Sequence, residues 1–187
     1  MRTPPADAYV LPELLADHRA RSAATTAGVQ AEVTHLFEQL RNPLFRYLLS
    51  LGLSVQDGEE VIQESFLALF RHLRNGRPRD NLRAWIFRVG HNKALKVRHR
   101  QDPYPVLSLV GDVDGSPDPE QQALQNQRQQ RLSAVIRALP KQDRACLSLR
   151  AEGIRYREIA EILGISLGAV ALSLSRSLAK LARVQER

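Results

Sequence analysis

Apolar residues recur along this chain at helical spacing. Val33, Leu36, Phe37, Leu40, Leu44, Tyr47, Leu48 and Leu51 fall on one stripe with a 3.6-residue period. Pro43 interrupts the stripe. Asn42 can cap a new helix that has Pro43 at its first position, so the pattern predicts two consecutive helices. Ser54 opens the next helix, with Asp57 as its capping-box partner and Ile62, Phe66, Leu69, Phe70 and Leu73 as its inner face. Asn75 to Asn81, rich in Gly, Pro and Arg, reads as a loop. Leu82, Trp85, Ile86 and Val89 then mark a helix that runs into Lys93, Lys96, Arg98 and Arg100. Trp85 lies on that apolar stripe, which predicts a core position and not a base-stacking platform.

Residues 101–127 change character. They hold Pro103, Pro105, Pro117 and Pro119, several Asp and no Lys or Arg, and cannot bury enough apolar surface to fold alone. The expectation is a flexible acidic linker, about 29 Å across as a coil and roughly 90 Å drawn out. Leu132, Val135, Ile136 and Leu139 predict a helix ended by Pro140, followed by one that closes at Gly153. Residues 154–181 read as a helix-turn-helix. Ile159, Ile162 and Leu163 face inward on a short first helix, Ala160 permits close crossing, and Gly164 supplies the positive φ that stops it. Ser166 caps a second helix with an expected inner stripe of Val170, Leu174, Leu178 and Leu181. Such a pair places one helix in a DNA major groove, or serves as a packing hairpin. No strand pattern of useful length and no internal repeat is present.

Composition narrows the function. A hydrophobic fraction of 43% supports packed cores, and no apolar run approaches the roughly 20 residues of a membrane span. A single cysteine, Cys146, excludes an internal disulfide and reads as a buried small hydrophobe. The first residues lack the apolar core of a signal peptide, so a soluble cytoplasmic protein is expected, with no membrane contact. The net charge of +7 is segregated: 0 over residues 1–28, −4 over 29–70, +9 over 71–100, −5 over 101–127 and +7 over 128–187. Two basic blocks around an acidic spacer fit a polyanionic partner, whose condensed counterions Lys and Arg release. A generic basic surface would mix the signs. His91 and His99 have no carboxylate nearby and read as phosphate neighbours or solvated residues, not metal ligands. There is no phosphate loop, paired metal ligand set or Ser/His/Asp arrangement, so neither enzyme, metal nor cofactor is expected.

The run Asp57-Gly-Glu-Glu-Val-Ile-Gln-Glu-Ser-Phe-Leu-Ala-Leu-Phe70, then Leu82-Arg-Ala-Trp-Ile-Phe-Arg-Val-Gly-His-Asn-Lys-Ala-Leu95, then Leu139-Pro and Ile159-Ala-Glu-Ile-Leu-Gly-Ile-Ser166 resemble the extracytoplasmic-function sigma factors of bacterial RNA polymerase. The resemblance covers residues 29–100 and 128–187. It implies an all-α fold of two small helical domains joined by the linker: a 1–28 extension, a region 2-like domain at 29–100, the linker at 101–127 and a region 4-like helix-turn-helix domain at 128–187. It implies core RNA polymerase, promoter DNA and an anti-sigma factor as partners. Asp57, Glu60, Gln63, Glu64 and Leu67 would bind polymerase. Arg77, Arg79, Asn81, Arg83, Arg88, Asn92, Lys93 and Lys96 would melt and hold the −10 element, where capturing an unstacked base costs a few kcal/mol. The linker would thread the polymerase's nucleic-acid path or act as a plain tether. Residues 1–28 read as a tail, a partner-binding arm or a short helix around Glu13–Ala20.

The second helix departs from the family pattern Ser-x-Gly-Thr-Val-Lys-Ser-Arg-Leu. Ser166, Ala169, Ala171, Leu172, Ser173, Ser175 and Arg176 stand at its −35-reading positions, and the first two turns offer no Lys or Arg to guanine. Reading through thymine methyls and backbone shape is one expectation; an apolar face for a protein partner is the other. A stand-alone helix-turn-helix regulator is the competing function, but it needs neither the acidic helix nor the first basic block.

Overall fold

A computed structural model of the protein describes the backbone of residues 10–98, 127 and 130–185, and side chains at 26–98, 127 and 130–183. Among these residues the only regular secondary structure is helix, and no strand is present. The first unit comprises α1 (Val10–Ser50), α2 (Val55–Arg74) and α3 (Leu82–Arg98). The second comprises α4 (helical over 130–137), α5 (Lys141–Ala151), α6 (Tyr156–Leu163) and α7 (Leu167–Gln185).

The break expected at Asn42–Pro43 does not occur: Pro43 lies inside α1. An interior proline costs about 3 kcal/mol, partly through the lost bond to the fourth preceding carbonyl. That carbonyl belongs to Gln39, which is exposed, while Leu40, Leu44, Tyr47 and Leu48 are buried on both sides of the proline. Keeping four such side chains in one stripe, at about 1.5–3 kcal/mol each, outweighs the defect. The helix also extends back to Val10, so the segment around Glu13–Ala20 is helical.

Ser54 caps α2 as expected. Its Oγ accepts from the Asp57 backbone N–H at 3.1 Å and donates to the Asp57 carboxylate. Val61, Ile62, Phe66, Leu69 and Leu73 turn inward, and the basic last turn of Arg71, His72 and Arg74 complements the helix dipole. Gly90 lets α3 come close to α1, for a Cβ there would meet Leu44 Cδ1 at 2.9 Å.

In the second unit, α6 and α7 are set at 106° to one another, within the range that helix-turn-helix pairs adopt. Gly164 stops α6 at φ 66°, and the Ile165 N–H reaches back to the Ala160 carbonyl at 3.0 Å. Ser166 Oγ accepts from the Ala169 N–H at 3.1 Å, starting α7. The inner stripe of α7 differs from expectation: Val170, Ser173, Leu174 and Ser177 are buried, whereas Leu178 is 56% exposed. The hydroxyls bury cheaply because Ser177 donates to the Ser173 carbonyl at 2.8 Å and Ser173 Oγ accepts from Gln142 at 3.4 Å. Cys146 is buried, as read from the sequence, and burial pushes its thiol up.

The two units are in contact. α5 lies against α1 and α6 against α3, and one continuous apolar cluster runs from Leu44, Tyr47 and Phe87 to Cys146, Leu149 and Ile154. The acidic linker falls outside the described residues except for residue 127, and His99 and Arg100 lie outside them too.

Candidate nucleic-acid interface

Three surfaces carry the residues that the sequence singles out. The first is α2. Glu60, Gln63, Glu64 and Leu67 are exposed and spaced i, i+3, i+4, i+7, so they form one outward stripe. Leu67, 49% exposed at the C-terminal end of this acidic face, adds an apolar contact that solvent alone does not explain. Asp57 is half-buried because it serves the Ser54 cap.

The second surface is the basic loop and α3, whose residues the structure divides between two neighbours. Lys93 and Lys96 line an acidic cleft of about 390 Å³ with Asp57, Glu60 and Glu64. Lys93 Nζ sits 2.5 Å from Glu64 Oε2. Asn81, Arg83 and Arg88 instead face α6 and the turn before it. Asn81 adopts a left-handed backbone, φ 53°. Its Oδ1 accepts from the Ala84 N–H at 3.3 Å, capping α3, and its Nδ2 donates to Glu158 Oε1 at 2.9 Å. Arg83 donates to the Glu152 carbonyl. Arg88 lines a pocket with Asp80, Trp85, Glu158 and Glu161. Arg79 is paired with Glu32 at 3.1 Å, while Arg77 and Asn92 are exposed.

Trp85 matches its expectation in part. It packs against the core cluster and the His72 ring, centroids 4.7 Å apart, yet its remaining surface opens into the Asn81–Arg88 pocket. His91 overturns its expectation. It is 8% exposed, not solvated, and its Nδ1 shares a hydrogen bond with the Tyr47 hydroxyl at 2.8 Å. The i, i+4 offset from Phe87 turns its ring into the α1–α3 seam, away from phosphates.

The third surface is α7. Ala171, Leu172 and Ser175 point outward, with Leu172 56% exposed. Ser173 does not: it is fully buried beneath the helix. Ser166 is used as a cap, and Arg176 reaches back 2.9 Å to Asp143, whose side chain is 2% exposed. The outward face of α7 is therefore small and apolar, narrower than the sequence implies. Three contacts were missed: Tyr47–His91, Asp143–Arg176, and Arg46 bidentate to Glu152 at 2.9 and 2.7 Å. Each joins residues at least 33 positions apart, and no local pattern encodes such pairs. Among the described residues no three His, Cys, Asp or Glu side chains gather as a metal site, and no single helix is long and apolar enough to cross a membrane.

Comparison with known proteins agrees with this geometry. Residues 36–103 match the family model Sigma-70 region 2, and residues 129–181 match Sigma-70, region 4. The chain is 30% identical over 174 residues to the RNA polymerase sigma factor CnrH of Cupriavidus metallidurans, covering 87% of this chain and 91% of that one. It is 30% identical over 140 residues to the ECF RNA polymerase sigma factor SigE of Mycolicibacterium smegmatis, covering 72% of this chain. It spans only 54% of SigE's length. Its fold resembles that of the sigma factor RpoE of Bartonella quintana, solved with the anti-sigma factor NepR, at a TM-score of 0.62 and 19% identity, covering 83% of this chain and 97% of that one. Two helical units in this order, the second a helix-turn-helix, place the chain among the extracytoplasmic-function sigma factors of the sigma-70 family.

Proposed function

We propose that the protein is a non-catalytic, cytoplasmic subunit of transcription initiation that binds core RNA polymerase and directs it to promoters. The observation that carries this reading is the pairing of an outward acidic stripe, Glu60, Gln63, Glu64 and Leu67, with a basic surface on the next helix. A helix-turn-helix regulator acting alone needs only the second unit. Glu60 and Glu64, with Gln63 and Asp57 beside them, meet cations of the polymerase and set register more than raw affinity. Arg77, Arg79, Asn81, Arg83, Arg88, Asn92, Lys93 and Lys96 hold the separated −10 strand. Positive charge tracks its backbone, and the loop receives an unstacked base. Ala171, Leu172 and Ser175 meet the −35 duplex. There, apolar contact with thymine methyls and phosphate positioning replace bidentate readout, so discrimination per base is weak.

We divide the chain into residues 1–28, 29–100, 101–127 and 128–187, as extension, first domain, linker and second domain. An anti-sigma factor is a further partner on this reading, as RpoE is solved with NepR. Run-off transcription tests the proposal. Core polymerase with this protein starts RNA at defined sites on a template library, and core polymerase alone does not. Protection of duplex DNA without transcripts would favour the stand-alone regulator.

A further inference from the structure

The middle of the basic loop, Arg77 to Asp80, is exposed and has no helix of its own to hold it. Its flanks are set by ordinary helix-end bonds: the Gly76 N–H donates to the Leu73 carbonyl at 3.0 Å, and Asn81 caps α3 through the Ala84 N–H. His72, half-buried in the last turn of α2, supplies two of the contacts that hold the middle. Its carbonyl accepts from the Arg77 N–H at 3.2 Å, and its ring Nε2 lies 2.8 Å from the Pro78 carbonyl oxygen. A carbonyl oxygen only accepts, so Nε2 carries the hydrogen and donates. A further contact, Arg79 to Glu32, is an ion pair more than half open to water on the Arg79 side, and it weakens with salt.

The same ring lies against Trp85 of α3, centroids 4.7 Å apart at 41°. Trp85 also lines the pocket that holds Asn81 and Arg88. One imidazole therefore ties the loop backbone to the indole and fixes the spacing between the loop and the pocket wall. We propose that His72 is a positioning residue for promoter opening, one that keeps the Asn75–Asn81 loop set against Trp85 before an unstacked base arrives. The inference rests on the assignment of the loop and α3 to the −10 strand. His72 need not touch DNA to do this, because its ring already engages Pro78 and Trp85. Taking a base out of its stack is costly in itself. A loop that also had to order at that moment would add its own entropy to the barrier, and preorganisation removes that addition.

The test uses the full chain with core polymerase and compares His72→Gln, His72→Phe and His72→Ala. Gln keeps an N–H donor for the Pro78 carbonyl, Phe keeps a ring against Trp85, and Ala keeps neither. For each protein three quantities are read: the rate of open-complex formation from heparin-resistant run-off transcripts, the affinity for core polymerase, and amide hydrogen exchange at Arg77, Arg79 and Asp80 in the free chain. The Ala and Phe variants are expected to open the promoter roughly five- to tenfold more slowly, the size of one lost hydrogen bond, and the Gln variant to stay within about twofold of the unmodified chain. Loop exchange speeds up in the Ala and Phe variants only, and polymerase affinity stays the same in all. Equal opening rates in all four proteins overturn the proposal. So does equal slowing in the Gln and Phe variants, which would make the imidazole a packing element alone. Slowing matched by an equal loss of polymerase affinity overturns it too, since the fault would then lie in the docking surface of α2. The two readings fail differently. If the unmodified chain opens no promoter, the functional reading falls and this role falls with it. If it opens promoters and the variants match it, the function stands and the role of His72 alone is lost.

Discussion

Lys93 and Glu64 meet across the groove between α2 and α3, Nζ to Oε2 at 2.5 Å. One belongs to the proposed DNA-holding set and the other to the proposed polymerase-docking stripe, so a single ion pair joins the two activities. Glu64 is 54% exposed and Lys93 29% exposed, and a pair so placed contributes under about 1 kcal/mol to stability. The larger consequence is for binding. A polymerase cation that takes Glu64 leaves Lys93 free for phosphate.

Glu64→Gln is therefore expected to leave the melting temperature nearly unchanged and to weaken core polymerase binding. It strengthens binding of free protein to single-stranded DNA by a few-fold, an estimate from one released lysine. Fluorescence anisotropy with each partner reads both effects. Equal weakening toward DNA and polymerase would show that Glu64 does not hold Lys93 back.

Tyr47 and His91 make stability depend on pH. Burial, with Arg98 second, holds the His91 ring below its ordinary value of 6.5, and burial followed by Cys146 raises the Tyr47 phenol far above its usual range. The unfolded chain protonates His91 near its ordinary value, and the folded chain resists until lower pH. Between those two values the unfolded state binds more protons, so stability is full above about pH 7 and falls on acidification. Thermal melts from pH 8 to pH 5 are expected to show this slope, and His91→Gln to flatten it. Tyr47→Phe removes the partner of a buried ring nitrogen and costs about 1–2 kcal/mol in urea denaturation.

Arg176 acts as a structural cation. Asp143 is buried and Arg176 is its ion-pair partner at 2.9 Å. Arg176→Ala leaves that carboxylate without its cation, at a cost of about 2–3 kcal/mol, scaled down from fully buried pairs because Arg176 is half-open to water. A folded, equally stable Arg176→Ala protein with weakened duplex binding would restore the −35 contact that the resemblance implied.

Leu172 distinguishes the two readings of α7. Because it is 56% exposed, Leu172→Arg leaves the fold intact. If α7 faces DNA, duplex binding tightens and its salt slope steepens by about one. If the apolar face meets a protein, the slope stays as it was and a protein complex is lost.

How much of this was legible depended on whether the information was local. Ser54, Gly164 and Ser166 act within three or four residues of themselves, and each does what its residue type predicts. Helix identity followed from periodicity for the same reason. Pro43 misled because its local cost is outweighed by a stripe of buried residues spanning it. Leu178 and Ser173 exchanged places because periodicity ranks residues by apolarity, while the α5–α7 contact admits small hydroxyls that satisfy themselves on backbone and Gln142. In the candidate sites, Glu60, Gln63, Glu64 and Leu67 were readable as a face. The partners of Arg83, Asn81, Lys93 and Arg176 were not, since they lie 29 to 77 positions away in sequence.

The central claim is that this chain lets core polymerase open a promoter, and permanganate footprinting reads that event directly. On a template whose start site has been mapped by run-off, thymines about ten bases upstream of the start are expected to become reactive only when protein and core polymerase are both present. Protein-dependent protection of the duplex with every thymine still unreactive would contradict the account.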